Sequence, residues 1–314
     1  MQFSYRIAGL RLRTVPPLAA LAAFAAHDET PSAALAPPQS APAAEDSGGW
    51  TATAHGLLAG EVVPLGLVLG RRGLTLRVPG GGEIRVQRGG EALRLVAESD
   101  PPAIHEQALL GPGLCLALAM RGVICLHASA AEREGSVCLF LGESGAGKST
   151  LARALDRSPG WRRIADDCLP VVLASRVGDR RSLLARPRFP QLKLDPAQQW
   201  SPQAPGELEV RRVYRLVDGV AGCERPIVES LTGRQGALLL VRHTAAARLF
   251  PPKLLAWHLS WTVEVAETVP VSRLAFPRRL DLLPAVVERI EEDLELAGES
   301  SEAPGSRLCN GAPT

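Results

Sequence analysis

The chain has 314 residues, 46% of them hydrophobic and 22% charged, with a formal net charge of +2. That length allows one large core or two smaller ones. The charge is too small and too dispersed to point to nucleic acid or a membrane surface, and aromatics, at 4%, show none of the basic interleaving that stacks bases.

At the N-terminus, MQFSYRIAGLRLRTVPPLAALAAFAA places arginines before an apolar run. Pro16-Pro17 interrupts it, and no apolar stretch reaches the ~20 residues of a membrane span. Arginine alternates with apolar residues in YRIAGLRLR, the period of a strand. The segment is therefore expected to belong to the folded protein, in the cytoplasm. Residues 28–48, rich in Pro, Ala and Ser, lack the apolar content to fix themselves and are expected to form a flexible loop. TLRV, EIRV and LRLV then alternate between glycine clusters, which predicts a small antiparallel sheet. EQALLGPGLCLALAMR, residues 106–121, predicts a helical stretch that leads into the strand GVICLHAS.

From Gly135 the rhythm becomes strand, loop, helix, strand: GSVCLFL, GESGAGK, STLARALDR and RRIADDCLPVVL. This is the pattern of an α/β nucleotide-binding sheet. Downstream, GALLLVR and TVPVSRLAF are expected to be strands. LLPAVVERIEEDLELA, residues 282–297, predicts a final amphipathic helix with Val286, Val287, Ile290 and Leu294 on its apolar face. The division expected is a small mostly-β region over residues 1–119, a P-loop α/β domain over 120–297, and a disordered tail over 298–314. Six cysteines, Cys115, Cys125, Cys138, Cys168, Cys223 and Cys309, form no CxxC pair. Their spacing matches neither a disulfide framework nor a zinc site, and most lie in apolar runs where Cys acts as a small hydrophobe.

GESGAGKS fits G-x-x-x-x-G-K-[ST] at Gly142, Gly147, Lys148 and Ser149, between an apolar strand and a good helix former. Glycines let successive N–H groups turn inward toward phosphate oxygens, and the following helix adds its positive end. The cradle comprises Gly142, Glu143, Ser144, Gly145, Ala146, Gly147, Lys148, Ser149 and Thr150, with Lys148 for the β- and γ-phosphates of ATP and Ser149 for Mg²⁺. Asp166 and Asp167 follow only eighteen residues beyond Lys148. Adjacent carboxylates near a phosphate repel unless a cation or a shared proton offsets the charge. That favours one acid on magnesium and one accepting a proton from an attacking hydroxyl. His127 ends the strand VICLHAS, where its imidazole would approach the loop if the strands are neighbours.

Together LHAS, GESGAGKST and ADD resemble the catalytic domain of HPr kinase/phosphorylase. They are still more similar to shorter HPr-kinase-like proteins, among them kinases of lasso-peptide biosynthesis. The resemblance is specific over residues 120–175 and looser through FPQLKLD, VYRL, VPVSRLAFPRRL and YRIAGLRLRTVPPL. It implies a P-loop fold of HPr-kinase type, an active-site role for His127, Asp166 as the base, and Asp167 supporting the site at the metal with Ser149. A further glycine-rich signature carrying a magnesium acid is missing. Glu207, Glu209, Glu224 and Glu229 are the acids nearby, and Arg188 and Lys193 are candidate phosphate contacts. The function implied is ATP-dependent transfer to a hydroxyl, expected to be serine, of a peptide or protein such as a lasso precursor. A small-molecule kinase and an ATP-binding regulatory module stay open, as does homo-oligomer formation.

Overall fold

The computed structural model describes residues 3–8, 10–14, 18–25, 50–58, 60–90, 93–96, 103–175, 181–191, 206–219 and 225–301. The expected loop at 28–48 lies outside these residues, as does the tail beyond 301. YRIAGLRLR is a hairpin rather than one strand, with β1 (Phe3–Ile7) antiparallel to β2 (Leu10–Thr14). A five-stranded antiparallel meander follows, as the alternation predicts: β3 (Thr51–Leu58), β4 (Glu61–Gly70), β5 (Gly73–Val78), β6 (Gly82–Gln87) and β7 (Leu93–Val96). Leu65, Leu67, Leu74, Leu76 and Ile84 fill its inner face. The next helical stretch comprises α1 (Ala103–Ala108) and α2 (Leu114–Met120), joined by a π-helical turn at Leu109–Gly113 that accommodates Pro112.

The larger sheet has nine strands among the described residues. They are β8 (Ile124–Leu126), β9 (Ser129–Arg133), β10 (Ser136–Leu141), β11 (Trp161–Ala165), β12 (Leu169–Ser175), β13 (Arg181–Ala185), β14 (Leu208–Asp218), β15 (Ile227–Ser230) and β16 (Val271–Phe276). The order runs β11-β9-β10-β14-β13-β12-β8, with β16 parallel to β14 and antiparallel to β15. RRIADDCLPVVL is thus two strands, broken at Asp166–Cys168. Both β8→β9 and β11→β12 run on through short breaks, and they pair antiparallel on either side of them. They form one two-stranded ribbon with a corner at residues 127–128 and 166–168.

Four further α-helices are found among the described residues: α3 (Lys148–Asp156), α4 (Gly233–Arg242), α5 (Pro252–Thr268) and α6 (Leu283–Ser301). GALLLVR is a helix, not the expected strand. An apolar run of that length has no distinguishing period, and the capping box of Thr232 with Gln235 starts the helix. TVPVSRLAF is a strand and residues 283–301 a helix, close to expectation. The α6 helix continues to Ser301, past the expected boundary at 297. No described helix is long and apolar enough to cross a membrane.

The apolar run SVCLFL is explained by burial on both faces. Val137, Leu139 and Leu141 enter a large cluster that extends from Tyr5 to Val271, so the meander and the larger sheet share a core. Cys138 and Phe140 enter a second cluster with Leu151, Val286, Val287 and Ile290 beneath α3 and α6. There the Asp293 carboxylate accepts from Tyr214 Oη at 2.7 Å and pairs with Arg212 Nε at 2.9 Å, tying α6 to β14. Burial, more than this acceptor, pushes the Tyr214 hydroxyl pKa well above its ordinary value. Removing one partner strands a buried guanidinium, so Asp293→Ala should lower unfolding free energy by about 3 kcal/mol in urea denaturation. An unchanged midpoint would mean that the pair contributes nothing to the docking of α6.

Candidate functional site

Leu141 ends β10 and Lys148 opens α3, so residues 142–147 make the whole connection. Gly145 and Gly147 have φ of +78° and +90°, a left-handed backbone that disfavours any side chain. A Cβ on Gly142 would lie 2.9 Å from the Ala146 Cβ, so the turn closes only on glycine. No side chain caps α3; its first-turn N–H groups lack intrahelical acceptors and carry the positive end of the helix dipole. Lys148, only 7% exposed, donates from Nζ to the carbonyls of Gly142 at 2.8 Å and Glu143 at 3.0 Å. Glu143, Ser144, Gly145 and Thr150 are exposed, and Ser149 is half-buried. Arg242 pairs with Glu143 at 2.9 Å, and Arg278 donates to the Gly145 carbonyl at 3.0 Å.

The ribbon corner stands beside this loop. Phe140 pairs with Ser129, which carries His127, two residues upstream, past the end of β10 toward the loop. His127 Nδ1 lies 3.3 Å from Asp167 Oδ1, both partly exposed. Asp166 is buried, with Arg153 and Arg163 each 3.8 Å from Oδ2. Its Oδ1 is buried without a hydrogen-bond partner among the described residues. Since β11 lies two strands from β10, the acid pair flanks the loop on that side.

On the other flank β14 runs parallel to β10 and ends at the loop edge. A cavity of about 400 Å³ lies there, lined by Gly142, Glu143, Arg215, Asp218, His243 and Arg278 among others. Burial holds the His243 pKa down at about 4, with Lys148, His127 and Arg242 adding to the effect and Glu143 opposing it. The backbone carbonyl of His243 accepts from His127 N at 2.7 Å. His243 and Asp218, the latter ion-paired with Arg278, were passed over in the sequence, where neither has a motif around it. The acids considered instead stand elsewhere. Glu207 and Glu209 sit at the opposite sheet edge and pair with Arg186 and with Ser182 and Arg211, while Glu229 pairs with Arg273. Glu224 and Lys193 lie outside the described residues, and Arg188 is exposed.

Gln191, within FPQLKLD, has a role that its sequence gave no sign of. Its Oε1 accepts from Asp166 N and Asp167 N at 3.1 Å each, and its Nε2 donates to Cys168 O at 2.7 Å. At 2% exposed, it takes the place of strand pairing for the corner.

No protein-family model matches the sequence, and no curated protein matches it. Among solved structures, the Hpr(Ser) kinase/phosphatase from Coxiella burnetii is similar, with 18% identity and a TM-score of 0.32. The match covers 57% of this chain and 95% of that chain. A likeness at that level bears on neither substrate nor residue roles.

Two outcomes follow from these contacts. Gln191→Leu strips acceptors from buried amides and should cost about 2 kcal/mol in urea denaturation; an undiminished midpoint would show that water replaces the side chain. His243 and the buried His258 both sit near 4, against 6.5 unfolded, burial being the main cause in each. The unfolded chain therefore takes up protons that the folded chain refuses, and stability should fall as pH drops from about 6.5 to about 4. Urea midpoints across that range should decline, and less steeply in His258→Gln.

Proposed function

We propose that the protein is an ATP-dependent kinase of the HPr-kinase-like class, transferring the γ-phosphate to a hydroxyl of a peptide or protein. The observation that carries this reading is the juxtaposition of the glycine loop and buried Lys148 with a carboxylate corner one strand-pair away. A nucleotide switch needs the first but has no use for a buried carboxylate oxygen without a partner.

Lys148 and the loop amides bind the phosphates, and residues 142–150 form the cradle. The donor set suits magnesium: Ser149 and Asp167 would hold it, and Asp166 Oδ1 is an oxygen that lacks a donor. When bound, the ion neutralises charge on the phosphates. Asp166 orients the acceptor hydroxyl and takes its proton at Oδ1. His127 holds Asp167 by its imidazole, and Arg153 and Arg163 keep the Asp166 side chain directed into the corner. In-line transfer requires donor and acceptor on opposite sides of the phosphorus. With the base on the β11 side, the nucleoside occupies the cavity on the β14 side.

The test is intact-mass analysis with ATP and Mg²⁺ against candidate peptides, HPr protein and free serine, beside Lys148→Ala. One added phosphate on a peptide or protein, absent in the variant, supports the reading. Phosphate on free serine alone makes it a small-molecule kinase, and tight ATP binding without transfer makes it a regulatory module. For Asp166→Asn, transfer should fall at least about 100-fold while nucleotide affinity holds; retained transfer would remove Asp166 as the base.

A further inference from the structure

Behind the acid pair, three thiols from distant parts of the sequence converge. Cys115 of α2, Cys125 of β8 and Cys168 of the ribbon corner place their sulfurs within 4.8 Å of one another. Cys115 and Cys125 are buried, and Cys168 is the least buried of the three. Cys115 and Cys125 belong to the main apolar cluster, and Cys168 packs against it. We propose that this trio is a thiolate site for a borderline-soft d¹⁰ divalent ion of the zinc class.

Distance favours this over a Cys125–Cys168 crosslink. Cys125 pairs with Pro170, which makes Cys168 its diagonal neighbour across the ribbon. Diagonal Cα atoms lie about 7–8 Å apart, at or beyond the reach of a disulfide. A tetrahedral ion with metal–sulfur bonds of about 2.3 Å needs sulfurs about 3.8 Å apart. The trio therefore has to contract by no more than about 1 Å. Binding releases the thiol protons to solvent and leaves a fourth position open toward Cys168. The Asp167 carboxylate is within electrostatic reach of Cys115 and Cys168 on that side.

The position gives the ion a structural task. Cys125 lies two residues before His127, and Cys168 directly follows Asp167. One ion would hold both strands of the ribbon at the corner and brace them against α2. This inference stands whether or not the chain is a kinase.

The experiment is a Co²⁺ titration of the reduced full-length chain, read by thiolate-to-cobalt charge transfer and by tetrahedral d–d bands, followed by displacement with Zn²⁺. One equivalent with both signatures is expected. Cys115→Ala and Cys168→Ala should each weaken binding at least tenfold, whereas Cys138→Ala, a buried thiol in the other core, should not. Chelation should lower the melting temperature of the wild-type chain and leave Cys115→Ala unmoved. A reduced wild-type chain without charge transfer overturns the proposal without recourse to any variant. So does binding that survives loss of both Cys115 and Cys168, or a loss of two mass units showing that the trio forms a disulfide.

Discussion

The corner in the β8/β9–β11/β12 ribbon is the constraint on which the site depends. A ribbon that continued straight would carry its pairing through residues 127–128 and 166–168 and leave no polar groups exposed there. The bend breaks the ladder, and buried amides without acceptors are costly. Gln191 answers that cost at residues 166–168, where its side-chain amide both accepts and donates. Ser129 adds a hydroxyl donated to the Asp166 carbonyl at 2.9 Å. With its backbone held in this way, the corner carries the side chains of His127, Asp166 and Asp167 beside the loop.

Placement of the glycine loop beside this corner follows from strand order. The β10 strand is flanked by β9, which descends from the corner, and by β14, which runs parallel and ends at the same edge. The loop therefore opens between an acid-bearing flank and a cavity-bearing flank. Charge is distributed unevenly between them. Arg215, Arg242 and Arg278 ring the cavity, a setting that favours an anionic ligand, and Lys148 projects its ammonium onto the loop's own carbonyls between the two. Ion pairs of Arg242 with Glu143 and Arg278 with Asp218 lie at the exposed rim, where they organise the loop more than they stabilise the fold.

The two faces of the corner differ in chemistry. One is polar and faces the loop; the other is sulfur-rich and faces α2. Asp167, which meets His127, and Cys168, which meets Cys115 and Cys125, are adjacent in sequence. The shared core between the meander and the larger sheet places α2, and with it Cys115, against that second face.

Local chemistry was legible where it depends on spacing along the chain. The loop residues 142–150, the meander's alternation and the apolar stripe of residues 282–297 are patterns that turn geometry and helix or strand periods impose on contiguous residues. What was misread depended on partners far away. GALLLVR has no period of its own, and its helix rests on a cap and on burial of Leu239 and Leu240. RRIADDCLPVVL looks like one strand because the bend is enforced by Gln191, more than twenty residues on. The three cysteines have no recognisable spacing because α2, β8 and the corner meet only when the sheet folds. Contiguous residues carry their own backbone geometry, so the chain alone determined the loop, the meander and the last helix. Only the tertiary fold, by bringing together residues that no local pattern links, decided the corner, the cavity and the thiol trio.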